Sequence, residues 1–366
     1  MTTNMYRRLA VASAALMGLA LVVGCSSQSS STSTGNSSSA SGKGFVAVLL
    51  PDAQTARWEQ QDLPFITAAV AKYSPTLSVK GYNAQGDPAA QLSQAETALT
   101  LGAKVLVVVA VDQFQAAQIV TLAQKQSVPV IAYDRLIQNA PVAYYISVDG
   151  VTVGQLQGQW LADHTKTGDN IAVINGSTDD ANAHLFNQGY MSVLKPLFAS
   201  GKRHLAGEAW TTGWVPATAQ QEMEQILTRK NNNVQGVLSA NDGMAGGIIQ
   251  ALKSQKLAGK VPVTGLDGTM ASDQSILQGL QSMTVWRSLK QQADLAAQIV
   301  AALIKGEKPP VTLFNGKIKN NGQVDVPWAA VTAQVITASN MDLLIKDGSI
   351  DKSALCQGIK PGTGPC

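Results

Sequence analysis

Histidine and cysteine are scarce in this sequence, which contains three of each among 366 residues. No cysteine stands at metal-ligand spacing from a histidine, and His164, His184 and His204 each stand alone. A structural zinc site needs four such ligands, so each histidine is more typical of a surface or packing position. We therefore expect no metal centre, and we predict no cofactor.

A strong excess of charge of either sign is also missing. The chain has 27 basic and 24 acidic side chains, and only 14% of its residues are charged. Removal of residues 1–24 takes away Arg7 and Arg8 and no acid, which leaves 25 basic against 24 acidic side chains. A nucleic-acid partner is therefore not expected. With 45% hydrophobic residues, the chain is long and apolar enough for two domains with real cores.

The N-terminus has the features of an export signal. Tyr6-Arg7-Arg8 precedes an Ala-rich apolar run over residues 9–23, which is too short for a comfortable membrane span. The run ends in Leu21-Val22-Val23-Gly24-Cys25, which resembles the bacterial lipobox, in which the cysteine thiol receives diacylglycerol. We therefore predict a lipoprotein signal peptide over residues 1–24 and lipidation of Cys25.

A segment of low complexity follows the predicted anchor. Residues 26–44 are nearly all Ser, Thr, Gly and Asn, a composition that cannot bury enough apolar surface to fold. We predict a disordered tether over residues 25–43, which suits a capture protein attached to the outer side of a cell membrane by its lipid alone. At the other end, Cys356 and Cys366 lie in a Gly/Pro-rich tail, and outside the cytoplasm they are expected to form a disulfide.

The remaining chain has the pattern of an α/β protein. Short apolar runs alternate with amphipathic stretches of about a dozen residues, which is typical of βα units in a mainly parallel sheet. The predicted strands form one set at 45–50, 77–82, 105–110, 128–134 and 144–148, and a second at 171–174, 205–210, 236–239, 261–266 and 283–286. Two sets of similar size predict two similar lobes. A later helix at 291–304 and an extended stretch at 324–336 suggest that the chain recrosses between them.

Polar side chains follow many of these predicted strands. Asp134-Arg135 shows the pattern most clearly, because an apolar run ends there in adjacent opposite charges. Ligands of open α/β sheets bind beyond the carboxyl ends of the strands. Asn, Asp and Arg bind hydroxyl groups, and Trp stacks on the C–H face of a pyranose, so the set predicts a sugar site. Its members are Arg57, Trp58, Asp134, Arg135, Asn182, Trp214, Asn241, Asp267 and Arg287. For Asn241-Asp242-Gly243, a helix-capping turn is an alternative.

Several motifs carry a resemblance to a known family. They are Ala132-Tyr133-Asp134-Arg135, Tyr145-Ile146-Ser147-Val148-Asp149, Ser239-Ala240-Asn241-Asp242, Gly213-Trp214-Val215-Pro216 and Gln281-Ser282-Met283-Thr284-Val285. From about Phe45 to Gly348 the chain resembles the D-xylose-binding branch of the type I periplasmic sugar-binding proteins of bacterial ABC transporters. The resemblance implies two lobes joined by three crossings, with the ligand cleft between them. It places the first lobe at 44–148 plus 287–324 and the second at 149–286 plus 325–366.

The resemblance also implies roles for the predicted site. The family's sugar contacts fall on seven positions, and Trp58 matches a stacking ring; the seven are Arg57, Asp134, Arg135, Asn182, Trp214, Asn241 and Asp267. Arg287 stands where the family has Lys, and Asn187 stands near a position where the family tends to carry Arg. The implied function is capture of a monosaccharide, D-xylose in preference to D-glucose, by a monomer that delivers it to an ABC permease.

Other functions remain alternatives. The sugar is D-xylose or another aldose such as glucose, arabinose or ribose, and a sugar-sensing subunit for a membrane receptor would need the same site. A glycosidase would need two carboxylates, such as Asp134 and Asp267. We expect no enzyme, because these acids lie beside arginines that should lower their pKa. A sugar-responsive repressor would begin with a basic helix-turn-helix, and this chain begins with an export signal.

Overall fold

The structure is a computed structural model that describes residues 44–366. The predicted signal peptide, Cys25 and the predicted tether lie outside the described residues. Within them, every helix is too short or too polar to cross a membrane.

The described chain alternates strands and helices from its first residues onward. The strands are β1 (Phe45–Leu50), β2 (Ser78–Asn83), β3 (Ala103–Val108), β4 (Val130–Tyr133), β5 (Tyr144–Val148), β6 (Asp169–Asn175), β7 (Arg203–Trp210), β8 (Gly236–Ser239), β9 (Thr284–Trp286), β10 (Ile318–Asn320), β11 (Asp325–Val331) and β12 (Gln334–Ile336). The helices are α1 (Leu63–Tyr73), α2 (Pro88–Thr100), α3 (Ala117–Lys125), α4 (Gly150–Asp163), α5 (Ala181–Ala199), α6 (Pro216–Arg229), α7 (Asp242–Ser254), α8 (Met270–Leu277), α9 (Leu289–Ile304), α10 (Asp342–Asp347) and α11 (Lys352–Leu355). A π-helical turn, Trp58–Asp62, precedes α1.

The first sheet has seven strands in the order β10-β11-β5-β4-β3-β1-β2. Its pairs are parallel except for β10 with β11. All six residues of β1 are buried, since helices cover both faces of the sheet. Asp87 begins α2 by accepting the Ala89 N–H, with Pro88 at the first helical position. This layering brings the carboxyl ends of β1 and β4 to one edge.

The second sheet is smaller, with β6 between β7 and β8 in parallel. The predicted strand at 261–266 is wrong as a regular strand, because only Val263 and Leu266 form isolated bridges. Side-chain bonds add to a few backbone bonds here: the Thr264 hydroxyl accepts the Ser239 N–H, and the Ser282 hydroxyl accepts the Val263 N–H. The segment nevertheless runs beside β8 and leads to Asp267.

The predicted placement of residues 325–331 in the second lobe is also wrong. β11 pairs in parallel with β5, with Trp328 opposite Tyr145, and so belongs to the first sheet. Val326 and Trp328 are buried in the core of the first lobe, and the Trp328 indole donates to the Ser147 carbonyl. β12 then pairs antiparallel with β9. The predicted extended stretch therefore divides between the two sheets.

The C-terminal segment packs against α8 and β9. Leu277, Trp286, Leu344 and Leu355 belong to one apolar cluster, separate from the three clusters of the sheets. Cys356 and Cys366 form a disulfide, which confirms that prediction. Leu344 of this segment also lies beside Gly268, so the segment packs against the loop that carries Asp267.

Candidate functional site

A cavity lies where the strand ends of the two sheets face each other. Strand ends and helix starts supply its wall, as expected for an α/β ligand site. All nine residues predicted from the sequence line it, together with four that were not predicted, Thr55, Asp180, Phe186 and Leu266.

Two arginines and two aspartates form a closed ring of ion pairs in this cavity. Arg57 lies 3.0 Å from Asp134 and 3.2 Å from Asp267, measured between guanidinium nitrogen and carboxylate oxygen. Arg287 reaches the same two carboxylates, at 2.6 Å and 3.2 Å. Asp134 follows β4 of the first sheet and Asp267 belongs to the second lobe, so each arginine connects the two lobes. All four side chains are nearly fully buried.

Asp62 anchors the ring from behind, and the sequence analysis missed it. Arg57 donates to its two oxygens at 2.6 Å and 2.8 Å, and the Tyr133 hydroxyl donates to it at 2.9 Å. Asp62 stands five residues after Arg57, a spacing that becomes a side-chain contact here because the intervening turn is π-helical. The third guanidinium nitrogen, Nη1, is then directed at Asp267 in the cavity.

Burial and charge shift the pKa values in this ring. Burial lowers the pKa of Arg57, but the carboxylates of Asp134 and Asp62 outweigh it and hold the pKa well above its usual value. Burial raises the pKa of Asp267 well above its usual value, although Arg57 opposes this. The expectation of a lowered pKa for Asp267 is therefore wrong, because the loss of water outweighs the nearby arginine.

Arg135 has different partners from those that its sequence position suggests. Its Nε lies 2.7 Å from Asp180, and its Nη1 donates to the Ala110 carbonyl at 3.0 Å. Asp134 has a left-handed backbone with φ +64°, and its carboxylate accepts from Arg287 and from Asn182. The expectation that Asp134 and Arg135 act as one pair is corrected: both line the cavity, but each belongs to a separate network.

Two indole rings line the cavity. The Arg57 guanidinium carbon lies 4.2 Å from the Trp58 ring centroid, so this ring is packed against the ion-pair network. Trp214 has φ +58°, and its ring lies against Gly176, where any Cβ would collide with it. Phe186 meets Trp214 edge to face at 6.4 Å. Stacking of a sugar between the two indoles stays a prediction.

Two asparagines named in the sequence analysis, Asn241 and Asn187, lie in different surroundings. Asn241 caps α7, since its Oδ1 accepts the Met244 N–H at 2.9 Å, and it also lines the cavity, so a role in binding stays a prediction beside the capping role. Asn187 lies outside the cavity lining and donates to Asn175 and Glu208. Among residues 44–366, no group of three or more His, Cys, Asp and Glu side chains is placed to hold a metal ion.

Comparison with known proteins gives matches along the folded body. Residues 46–308 match the family described as a periplasmic binding protein domain. The D-xylose-binding periplasmic protein of Escherichia coli strain K12 is 36% identical over 85% of this chain and 92% of its own length. A multiple sugar-binding periplasmic receptor of Rhizobium radiobacter is 34% identical over 85% of this chain and 92% of its own length.

Solved structures agree with these sequence matches. A carbohydrate transporter solute-binding protein from Chloroflexus aurantiacus, in complex with D-glucose, has a TM-score of 0.78 and 30% identity, covering 84% of this chain and 97% of that one. These relatives are binding proteins, in agreement with the expectation that the chain is not an enzyme. The family match, the identity to sugar-binding relatives and the two-lobed α/β architecture together show that this chain belongs to the type I periplasmic sugar-binding protein family.

Proposed function

We propose that the protein captures a monosaccharide, preferably D-xylose, outside the cytoplasm and delivers it to an ABC transporter permease. The observation that carries this proposal is the ring formed by Arg57, Asp134, Arg287 and Asp267 between the lobes. It offers charged donors and acceptors to a neutral ligand with several hydroxyl groups.

Three buried donors at the cavity support a polar ligand. The Arg287 Nε and the Nε1 atoms of Trp58 and Trp214 have no hydrogen-bond partner among the described residues. A buried N–H without a partner costs free energy, and a sugar hydroxyl would remove that cost. The indoles of Trp58 and Trp214 supply apolar faces for the C–H side of the ring. Polar edges and aromatic faces are the combination that a pyranose needs.

Ligand capture would couple to closure of the lobes. Asp134 and Asp267 come from different lobes, and Arg57 and Arg287 contact both. Hydroxyl groups that bond to these four side chains are held by both lobes at once, so binding favours the closed form. The permease would then receive the sugar from this closed form.

The choice of D-xylose rests on two kinds of support. The chain is 36% identical to the D-xylose-binding periplasmic proteins of Escherichia coli and Haemophilus influenzae. A hexose also carries an extra hydroxymethyl group, which would have to fit among the charged side chains of Arg57 and Arg287. D-glucose is the second candidate, because two solved relatives at 29% and 30% identity contain it. Arg287, where the family has Lys, is the residue that would alter the preference.

A thermal-shift series tests the class of ligand. The melting temperature would be measured with D-xylose, L-arabinose, D-ribose, D-glucose and, as unrelated solutes, glycine and leucine. The proposal expects the melting temperature to rise with at least one aldose and not with the amino acids. A rise with an amino acid alone, or with none of the sugars at millimolar concentration, would reject the sugar-binding role.

The location is a further part of the proposal. The lipobox-like residues before Cys25 and the Ser-rich segment after it support a lipid anchor on the outer side of a cell membrane, with the binding body as a monomer. Metabolic labelling with a fatty acid is expected to mark the wild type and not the Cys25→Ser variant. Equal labelling of both proteins would reject the anchor while leaving the sugar site intact.

A further inference from the structure

Asp242 is a buried acid that does not line the sugar cavity. It is the first residue of α7, directly after Asn241, and its exposed fraction is 4%. Its backbone N–H donates to the Leu266 carbonyl at 3.0 Å. Its Oδ2 accepts the N–H groups of Gly268 at 2.9 Å and Thr269 at 3.1 Å. Asp242 therefore bonds to the chain on both sides of Asp267.

Asp267 needs such support, because its backbone is unusual. Its φ is +117°, and Gly268 follows with φ +67°. A residue with a Cβ is unfavourable at positive φ and keeps this conformation only where the surroundings enforce it. The Asp267 N–H donates to the Val285 carbonyl at 2.9 Å. That bond holds the backbone of Asp267 itself, and the bonds of Asp242 hold the neighbouring residues, Leu266 and Gly268.

The Asp242 carboxylate is itself held in one orientation. Its Oδ1 accepts from Gln281 Nε2 at 2.9 Å, and the same nitrogen donates to the Met283 carbonyl at 3.0 Å. Gly265 faces the carboxylate, and a Cβ there would collide with Asp242 Oδ1. Asp273 of α8 is the other buried acid near it. The carboxylate therefore accepts from three donors, two of them backbone N–H groups of the loop after Asp267.

We propose that Asp242 is a positioning residue of the sugar site, which sets sugar affinity by holding Asp267 in the orientation that meets Arg57 and Arg287. This inference rests on the proposed function. Asp242 also follows Asn241, so one residue ties together two members of the cavity wall. Its effect on the sugar passes through Asp267, which the test below measures separately.

A double-mutant cycle tests this route. The dissociation constant for D-xylose would be measured by calorimetry for Asp242→Ala, Asp267→Asn and the double variant. Removing Asp242 from the wild type is expected to weaken binding about tenfold or more. In the Asp267→Asn background the same change should weaken binding by less than about threefold, since neighbouring residues that act together are not additive.

A second background serves as the control. Phe186 lines the cavity from α5 without a bond to the ion-pair ring, and Asp242→Ala should cost the same factor in the Phe186→Ala background as in the wild type. A purely structural role would give the same loss in all three backgrounds. That result, or a wild-type dissociation constant in Asp242→Ala, would overturn the inference.

Asp242→Asn provides a variant that keeps the shape. Its oxygen can accept both backbone N–H groups, but its amide meets the Gln281 amide that now donates to the carboxylate. We expect a smaller loss than in Asp242→Ala, with a similar melting temperature to the wild type. If Asp242→Ala does not fold, this variant decides: an unchanged dissociation constant rejects the inference. If the wild type itself binds no monosaccharide, the proposed function fails instead.

Discussion

The charged side chains of the site form ion pairs with each other. Each guanidinium of Arg57 and Arg287 contacts Asp134 and Asp267, and Asp62 fixes Arg57 from behind. Removal of one member of such a buried set leaves the others uncompensated. We therefore expect sugar binding to be most sensitive to substitution of these charged side chains.

Asp134→Ala is expected to weaken D-xylose binding by at least about a hundredfold. The change removes the acceptor of Arg287 and Arg57, and each charged hydrogen bond contributes about 1.5 to 3 kcal/mol. Titration calorimetry measures the effect. Asp163→Ala, an exposed acid at the end of α4, is the matched control and should bind as the wild type does. Equal dissociation constants for Asp134→Ala and the control would show that the cavity has been misassigned.

Arg287→Lys tests the position at which the resemblance implies a Lys. The arginine contacts Asp134 through one nitrogen and Asp267 through another, and a single ammonium cannot reproduce both contacts in the same geometry. We expect D-xylose binding to weaken about tenfold, equivalent to the loss of one charged hydrogen bond. Lys290→Arg, an exposed exchange of the same kind, serves as the control. Tighter binding by Arg287→Lys would instead mean that the arginine crowds the pocket.

The strands and helices could be predicted from the sequence in part. Strand ends could be located from apolar runs, and the nine side chains predicted from them line one cavity, because parallel strands bring their carboxyl ends to one edge. Asp62 was missed because a π-helical turn creates its contact with Arg57. The regular strand expected at 261–266 is reduced to isolated bridges at Val263 and Leu266, with additional bonds from the Thr264 and Ser282 side chains. Such details depend on tertiary contacts, which no local pattern contains.

The C-terminal segment gives a prediction at this scale. The disulfide between Cys356 and Cys366 spans a sequence separation of 10 residues, beside α11 and against α8. A loop of this size stabilises a fold by about 2 to 3 kcal/mol through the unfolded chain. The double variant Cys356→Ser and Cys366→Ser should therefore unfold at lower urea, with D-xylose binding changed less than about threefold. An unchanged urea midpoint would contradict this account of the tail.

Several buried acids of the molecule contribute to the free energy of unfolding to an extent that depends on pH. Burial raises the pKa of Asp180 to about 6 and that of Asp242 to about 6. In the unfolded chain an Asp titrates near 3.9, so as the pH falls from 7 to 5 the folded state binds protons that the unfolded state does not. The stabilisation is present in acid and is lost as the pH rises through about 6.

We expect each of these two acids to add about 1 kcal/mol to the free energy of unfolding between pH 7 and pH 5. Urea unfolding at the two pH values measures the gain, and Asp242→Asn should show a smaller one than the wild type. A lower free energy of unfolding at pH 5 than at pH 7, with no difference between the two proteins, would contradict the assignment.

We propose that the cavity between the two lobes binds D-xylose in preference to D-glucose. Titration calorimetry of both sugars against the same protein tests this preference. We expect a dissociation constant for D-glucose about ten- to a hundredfold higher than that for D-xylose, since one added group changes binding by about 1 to 3 kcal/mol. A dissociation constant for D-glucose equal to or lower than that for D-xylose would contradict it.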